Sequence, residues 1–191
     1  IEQYFRSYVL PVLSPQIVDM HHPFPHLPNK SLIIFMTMKD QEQTSFGIIP
    51  VPQSLPDLIY LPGNSIRYIK IEHLILEYAQ NVFDRFSILD KTIISVTRNA
   101  DISPEDEVFA DDDDYRHHMK KILNKRKRLA PVRLEIQNEA TTELLDYLCT
   151  RLNITKEQVY KSKAPLSLGY VFTLHEKLPL NKIREISYPT F

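Results

Sequence analysis

The run Ser31–Met38, SLIIFMTM, constrains this chain more than any other stretch. Leu32, Ile34, Met36 and Met38 alternate with Ile33 and Phe35, so an extended backbone here carries apolar side chains on both faces. Only a central strand, covered on both sides, suits that pattern. The fold therefore needs a sheet with layers on each face. With 191 residues, 43% of them hydrophobic, the chain can fill such a core as one ordinary domain or as a large piece of something bigger.

Around this strand the elements interleave. Residues 1–10 read as a helix stopped by Pro11, and IEQYFRSYVLPVL resembles the end of a helix already under way, which predicts a fragment of a longer chain. Pro15, Pro23, Pro25 and Pro28 then hold an extended connector by fixing φ and removing amide donors. The expected division is a helix end and proline-rich connector over 1–30, followed by an α+β domain over 31–191. FGIIPVP predicts a second strand that its prolines confine to an edge or terminate. LIYLPGNSIRYIK predicts a hairpin around Pro62, Gly63 and Asn64. Ile71, Leu74, Ile75, Tyr78 and Val82 stand at helical spacing and predict an amphipathic helix.

KTIISVTR (91–98) reads as a strand, 105–128 as a helix with Tyr115, Met119 and Ile122 in line, and PVRLEIQ (131–137) as a strand alternating Val132, Leu134 and Ile136 with Arg133, Glu135 and Gln137. Strand, helix and strand predict a βαβ unit, most simply parallel and right-handed. A further helix is expected over 141–152, TKEQ is a capping-box pattern opening a short element, and 165–174 suggests a last short helix or turn. The half-polar strand at 132–137 implies a sheet face without a wholly apolar cover. The fold class expected is α+β, a single domain with a mixed sheet, βαβ units and packed helices.

Charge and composition exclude several functions. Twenty-three basic against 24 acidic residues give a net charge of -1, so no global field draws the molecule to nucleic acid or membrane, and any anion site must be local. No run approaches the roughly 20 apolar residues of a spanning helix. The lone Cys149 cannot form an internal disulfide and reads as a buried, unreactive thiol in a reducing compartment. Gly47, Gly63 and Gly169 are too far apart for a phosphate-cradling loop.

Four polar clusters remain. His21, His22 and His26 with Asp19 could ligate zinc, but Pro23 and Pro25 argue against the helix that would align them, which favours a packed connector with Phe24 and Leu27 as its anchors into the core. Asp111–Asp114 lack the alternate spacing of a calcium loop and instead suit a helix start, with Asp113 and Asp114 pairing with His117 and His118. KKILNKRKR (120–128), including Lys125, Arg126 and Arg128, reads as a solvated helix face, an inter-domain contact or a polyanion site; without interleaved aromatics it makes a poor single-strand platform. VTRNAD (96–101) ends a strand with Arg98 on the face of Ile94 and Val96. Strand ends often hold ligands, although an Arg98–Asp101 pair could equally tie the turn. No serine, histidine and acid set or cysteine and histidine pair stands out as catalytic.

YFRSYVLPVLSPQIVD, HPFPHLPN, VTRNAD, VRLEI and the terminal YPTF occur together in an order and spacing similar to the middle, or head, domain of bacterial polyphosphate kinases of the long, histidine-phosphorylating type. The resemblance spans essentially the whole chain. It implies a full-length enzyme that reversibly transfers the terminal phosphate of ATP to polyphosphate with magnesium, through a phosphohistidine. A helical N-terminal domain would help hold the adenine, and two phospholipase-D-like C-terminal domains, outside these residues, would carry the nucleophile. The fragment itself is then non-catalytic, with no catalytic, cofactor-binding or metal-binding residue. It would support a homodimer and wall the active-site tunnel against neighbouring domains of the same polypeptide. Polyphosphate contact is conceivable, nucleic acid is not favoured, and the implied location is the bacterial cytoplasm, with membrane association open to the full-length enzyme. Arg98, Asn99 and Asp101 match the family's TRNAD-like segment, while His22, Pro23, Phe24, Pro25, Leu27 and Asn29 match its HPFP segment. The chain departs at HLILEY after RYIKIE, at His21, His26 and Pro28, and in the basic run after Met119. The competing expectation is a stand-alone binding module for RNA or another polyanion acting through 120–128.

Overall fold

The computed structural model describes residues 1–40, 43–63, 65–99 and 129–186. Strands β1 (Gln16–Val18), β2 (Leu32–Asp40), β3 (Gln43–Pro50), β6 (Ser87–Arg98), β7 (Pro131–Gln137) and β8 (Val159–Ser162) form one mixed sheet in the order β1-β3-β2-β6-β7-β8. A separate hairpin pairs β4 (Leu58–Leu61) with β5 (Arg67–Lys70). The helices are α1 (Glu2–Tyr4), α2 (Ile71–Glu77), α3 (Ala79–Val82), α4 (Thr142–Leu152), α5 (Tyr170–Lys177) and α6 (Leu180–Ile186). This is the α+β architecture with a mixed sheet that the sequence pattern predicts.

β2 lies inside the sheet, with Ile33 through Met38 all buried. Its two faces feed two separate cores. Ile33 and Phe35 join Val18, Ile48, Ile94, Val96, Leu134 and Ile136 beneath Leu144, Leu148 and Leu152 of α4. Ile34, Met36 and Met38 join Ile49 and Ile93 beneath α2, α3 and the N-terminal helical turns, which contribute Phe5 and Val9. Gly47 faces Met36 across the β2–β3 pair. A Cβ there would come within 2.7 Å of Met36 Cγ, so the glycine makes room for the methionine layer.

Two expectations change, and one stated alternative is decided. The β6–β7 pair is antiparallel, with Ile94 opposite Ile136 and Arg98 opposite Pro131. The chain leaves β6 and re-enters at β7 on the same end of the sheet, where Asn99 N donates to Ala130 O, so a crossover to the far end is not needed. The parallel βαβ unit lies one strand further on, as β7–α4–β8. β3 is not an edge strand, because β1, contributed by the connector, pairs outside it; Pro50 does terminate it. The amphipathic helix breaks at Tyr78 (φ -90°, ψ 14°) into α2 and α3. There Lys91 Nζ donates to Leu76 O at 2.8 Å, and the Tyr78 ring stacks on Phe5 with centroids 4.8 Å apart. A cation on the last carbonyls favours ending the helix at that point.

Candidate functional site

The two sequence motifs VTRNAD and HPFPHLPN meet in space. β6 ends in a bulge between Thr97 and Arg98 that turns the Arg98 side chain under the connector. Arg98 Nε donates to Leu27 O at 2.9 Å and Nη1 to Leu129 O at 2.7 Å. Arg98 N donates to Asn29 Oδ1 at 2.8 Å, and Lys30 N donates to Val96 O at 2.8 Å. Asn29 thus lies beside Val96 in a short parallel bridge. Arg98 is only 8% exposed, and burial pulls its guanidinium pKa down from the ordinary value. Among the described residues this cation gives Nε and Nη1 to backbone carbonyls on both sides of the strand end. It is placed to tie segments together.

The connector is built to hold that junction. Asp19 Oδ1 accepts from His21 N at 2.7 Å and His22 N at 2.8 Å, and lies 2.9 Å from His22 Nδ1. An aspartate closing its own turn in this way needs no metal. Among the described residues no three histidine, cysteine or carboxylate groups converge as metal ligands. Phe24 then wedges inward with its ring centroid 6.4 Å from Phe35 and 6.2 Å from Tyr147, Leu27 is fully buried, and Pro25 is half-buried while Pro23 and His22 face solvent. Phe24 and Leu27 are the anchors that their apolar character predicts.

The sequence gives no signal for a second polar region on the opposite sheet face. Lys70, at the end of β5, and Glu72, in the first turn of α2, are 6% and 2% exposed. Lys70 Nζ lies 2.5 Å from Glu72 Oε1, an ion pair by distance at an angle that gives Oε1 no hydrogen bond. Lys70 Nζ also donates to Ser167 O at 3.1 Å and sits 4.4 Å from the centre of the Tyr170 ring. A cleft of about 160 Å³ opens beside the pair, walled by Lys30, Gln53, Asp57, Ser167 and Tyr170. Nearby on the same face, Gln137 Nε2 lies 2.8 Å from His73 Nε2; Thr92, on the opposite face beside Phe35, donates from Oγ1 to Gln137 O at 2.8 Å. Opposite charges two residues apart across a strand-to-helix junction look unremarkable in a linear chain; only the hairpin and the C-terminal segment bury them.

Arg133 and Glu135 pair with each other at 2.8 Å, and the Arg133 guanidinium covers the Tyr160 ring at 4.4 Å. Cys149 is buried, and its thiol pKa is raised by burial and by the nearby Asp146 carboxylate. Asp101, Lys125, Arg126 and Arg128 lie outside the described residues, as do the acidic run 111–114 with His117 and His118, and the rest of the helix expected over 105–128.

The sequence matches the family model described as the polyphosphate kinase middle domain over residues 1–174. It is 35% identical over 187 residues to a polyphosphate kinase of Bacillus anthracis, covering 93% of this chain and 26% of that one. It is 34% identical over 170 residues to one of Campylobacter jejuni, covering 87% and 24% respectively, and 35% identical over 173 residues to one of Dictyostelium discoideum, covering 90% and 16%. The crystal structure of a polyphosphate kinase from Porphyromonas gingivalis superposes with a TM-score of 0.63 at 21% identity, over 84% of this chain and 22% of that one, which supports the fold. The chain spans about a quarter of the length of the Bacillus relative it matches. With its matched segment running from the N-terminal helical turns into α5, this chain belongs to the polyphosphate kinase middle-domain family.

Proposed function

We propose that this chain acts as the non-catalytic head domain of a longer polyphosphate kinase, supporting a homodimer and walling the active-site tunnel. The observation that carries the reading is the family match, which covers nearly all of this chain but only about a quarter of the Bacillus relative. Under this reading 1–30 is the incoming helix end and connector and 31–191 the head domain proper, with ATP, magnesium and the phosphohistidine handled by neighbouring domains. Phosphoryl transfer needs a positioned nucleophile and charge-neutralising groups around the transferred phosphate. Among the described residues the two buried cations serve packing instead. Arg98 holds carbonyls and Lys70 faces Glu72. The C-terminal segment also exposes Leu168, Phe172 and Leu180, which suits contact with other domains of the same enzyme or with a second subunit.

The test is direct. The purified 191-residue chain, incubated with labelled ATP and magnesium, is expected to form no polyphosphate and no acid-labile phosphohistidine. Measurable transfer to either product would overturn the non-catalytic assignment.

A further inference from the structure

The cleft beside Lys70 is closed on one side by a segment that, among the described residues, has few other partners to hold it. Helix α5 buries none of its residues, and Val171 and Phe172 are 46% and 79% exposed. An eight-residue helix is too short to persist alone in water, so its placement must come from tertiary contacts. Among the described residues, those contacts converge on one cation. Lys70 Nζ holds the Ser167 carbonyl at 3.1 Å and the Tyr170 ring at 4.4 Å, and Glu72 at 2.5 Å fixes the ammonium from the protein side. Tyr68 adds one tilted ring contact to Tyr170 at 6.2 Å, and Leu166 packs against the α2-side core.

We infer that residues 166–177 form a strap over the cleft of about 160 Å³, latched by Lys70 through Ser167 and Tyr170 and released as a unit when that latch is broken. Glu72 is the positioning residue of the latch. With its Oε1 buried and unbonded, the ammonium is its neutralising partner, so the cation stays at the cleft wall. Strap release would uncover Lys70, Glu72 and the cleft together, and would reorient the exposed Leu168 and Phe172 at the same time. Cleft opening and presentation of the apolar helix are thus one event. Few buried apolar contacts mark the low-stability end of a structure, where such local opening occurs without global unfolding.

Hydrogen exchange of the 191-residue chain, followed by mass spectrometry, tests this. In Lys70→Met/Glu72→Leu, which removes both charges so that neither is left buried alone, amides of 170–177 are expected to exchange about tenfold faster while those of β2 keep their protection. Tyr170→Leu should do the same, and Tyr170→Phe, which keeps a ring face for the ammonium, should leave exchange near the native rate. If the double variant loses β2 protection as well, the Tyr170 pair decides. Equal exchange in Tyr170→Leu and Tyr170→Phe would overturn the latch, as would an unchanged rate in the folded double variant.

Discussion

The two faces of the sheet solve the same burial problem by different means. Under α4 the cover is apolar across β1, β3, β2, β6 and β7, from Val18 through Phe35 and Ile94 to Ile136, and the buried cation on that side, Arg98, satisfies itself on carbonyls of the connector and the β7 approach. Under α2 the apolar layer ends near Ile93. Beyond it the register places Ser95 opposite Glu135 and Thr97 opposite Arg133, and the buried cation, Lys70, faces a carboxylate. The first face is a packed layer with one tie. The second is half core and half polar surface, closed at its margin by side-chain pairs. Packing errors should therefore be expensive on the first face and tolerated on the second, where charge pairing matters more.

Adjacent residues of β2 test this most strongly, because Phe35 and Met36 are both fully buried yet face opposite layers. The Phe35 ring centroid lies 6.4 Å from Phe24, 5.8 Å from Phe46 and 6.2 Å from Tyr147, so its loss leaves a cavity bordered by stiff rings. Phe35→Ala is expected to cost about 3–5 kcal/mol. Met36 fills the space left by Gly47 with a flexible side chain, and Met36→Ala, the same truncation on the other layer, is expected to cost nearer about 2 kcal/mol, the low end for a buried methionine. Urea unfolding midpoints at constant m-value measure both. Similar losses in the two variants would break the contrast between the faces.

Next in size is the tie at the end of β6. Arg98→Met keeps much of the stem's volume but leaves Leu27 O and Leu129 O without their donors, at an expected cost of about 1–3 kcal/mol. Arg98→Lys should recover little of it, because an ammonium lacks the planar fork that reaches two carbonyls at fixed angles. Limited proteolysis gives the local readout, since cleavage between 20 and 30 should rise in both variants. If lysine restores native resistance, charge rather than fork geometry holds the connector.

These contrasts also show which parts of the molecule were legible from the chain alone. The doubly apolar pattern of SLIIFMTM placed β2 inside the sheet, and the Leu144, Leu148 and Leu152 stripe placed α4, because burial on a regular element leaves a period. Arg98 could be placed on the face of Ile94 and Val96, and the connector's anchors were recognisable as the apolar residues among prolines. Its partners were not legible, since carbonyls leave no trace in side-chain identity. The β6–β7 direction departs from the parallel expectation because strand order and direction depend on where the intervening chain returns, which hydrophobic period does not record. β1 is silent in the sequence for a related reason. Three residues are too few to show alternation, and their pairing is set by the neighbour β3. Lys70 and Glu72 carry no signal in the linear chain because their burial arises only when the hairpin and the C-terminal segment close around them.

The smallest expected effect lies in the connector and separates its turn chemistry from its packing. The Asp19 carboxyl is held below its ordinary value of 3.8, chiefly by the His21 backbone N–H, which together with the His22 backbone and ring outweighs the opposing effect of burial. A carboxyl whose folded pKa lies below its unfolded one stabilises the fold fully above the unfolded value, and that contribution fades as pH falls through the folded pKa. The turn should thus loosen only under acid, below 3.8, while Phe24 and Leu27 stay packed. Amide shifts of His21 and His22, followed by NMR across that range, should show one titration with a midpoint below 3.8. Asp19→Asn keeps an acceptor oxygen, so it should preserve the turn at neutral pH and abolish the acid transition. A midpoint at or above 3.8 would mean that the carboxylate does not hold the turn, and that proline stiffness and the two apolar anchors shape the connector unaided.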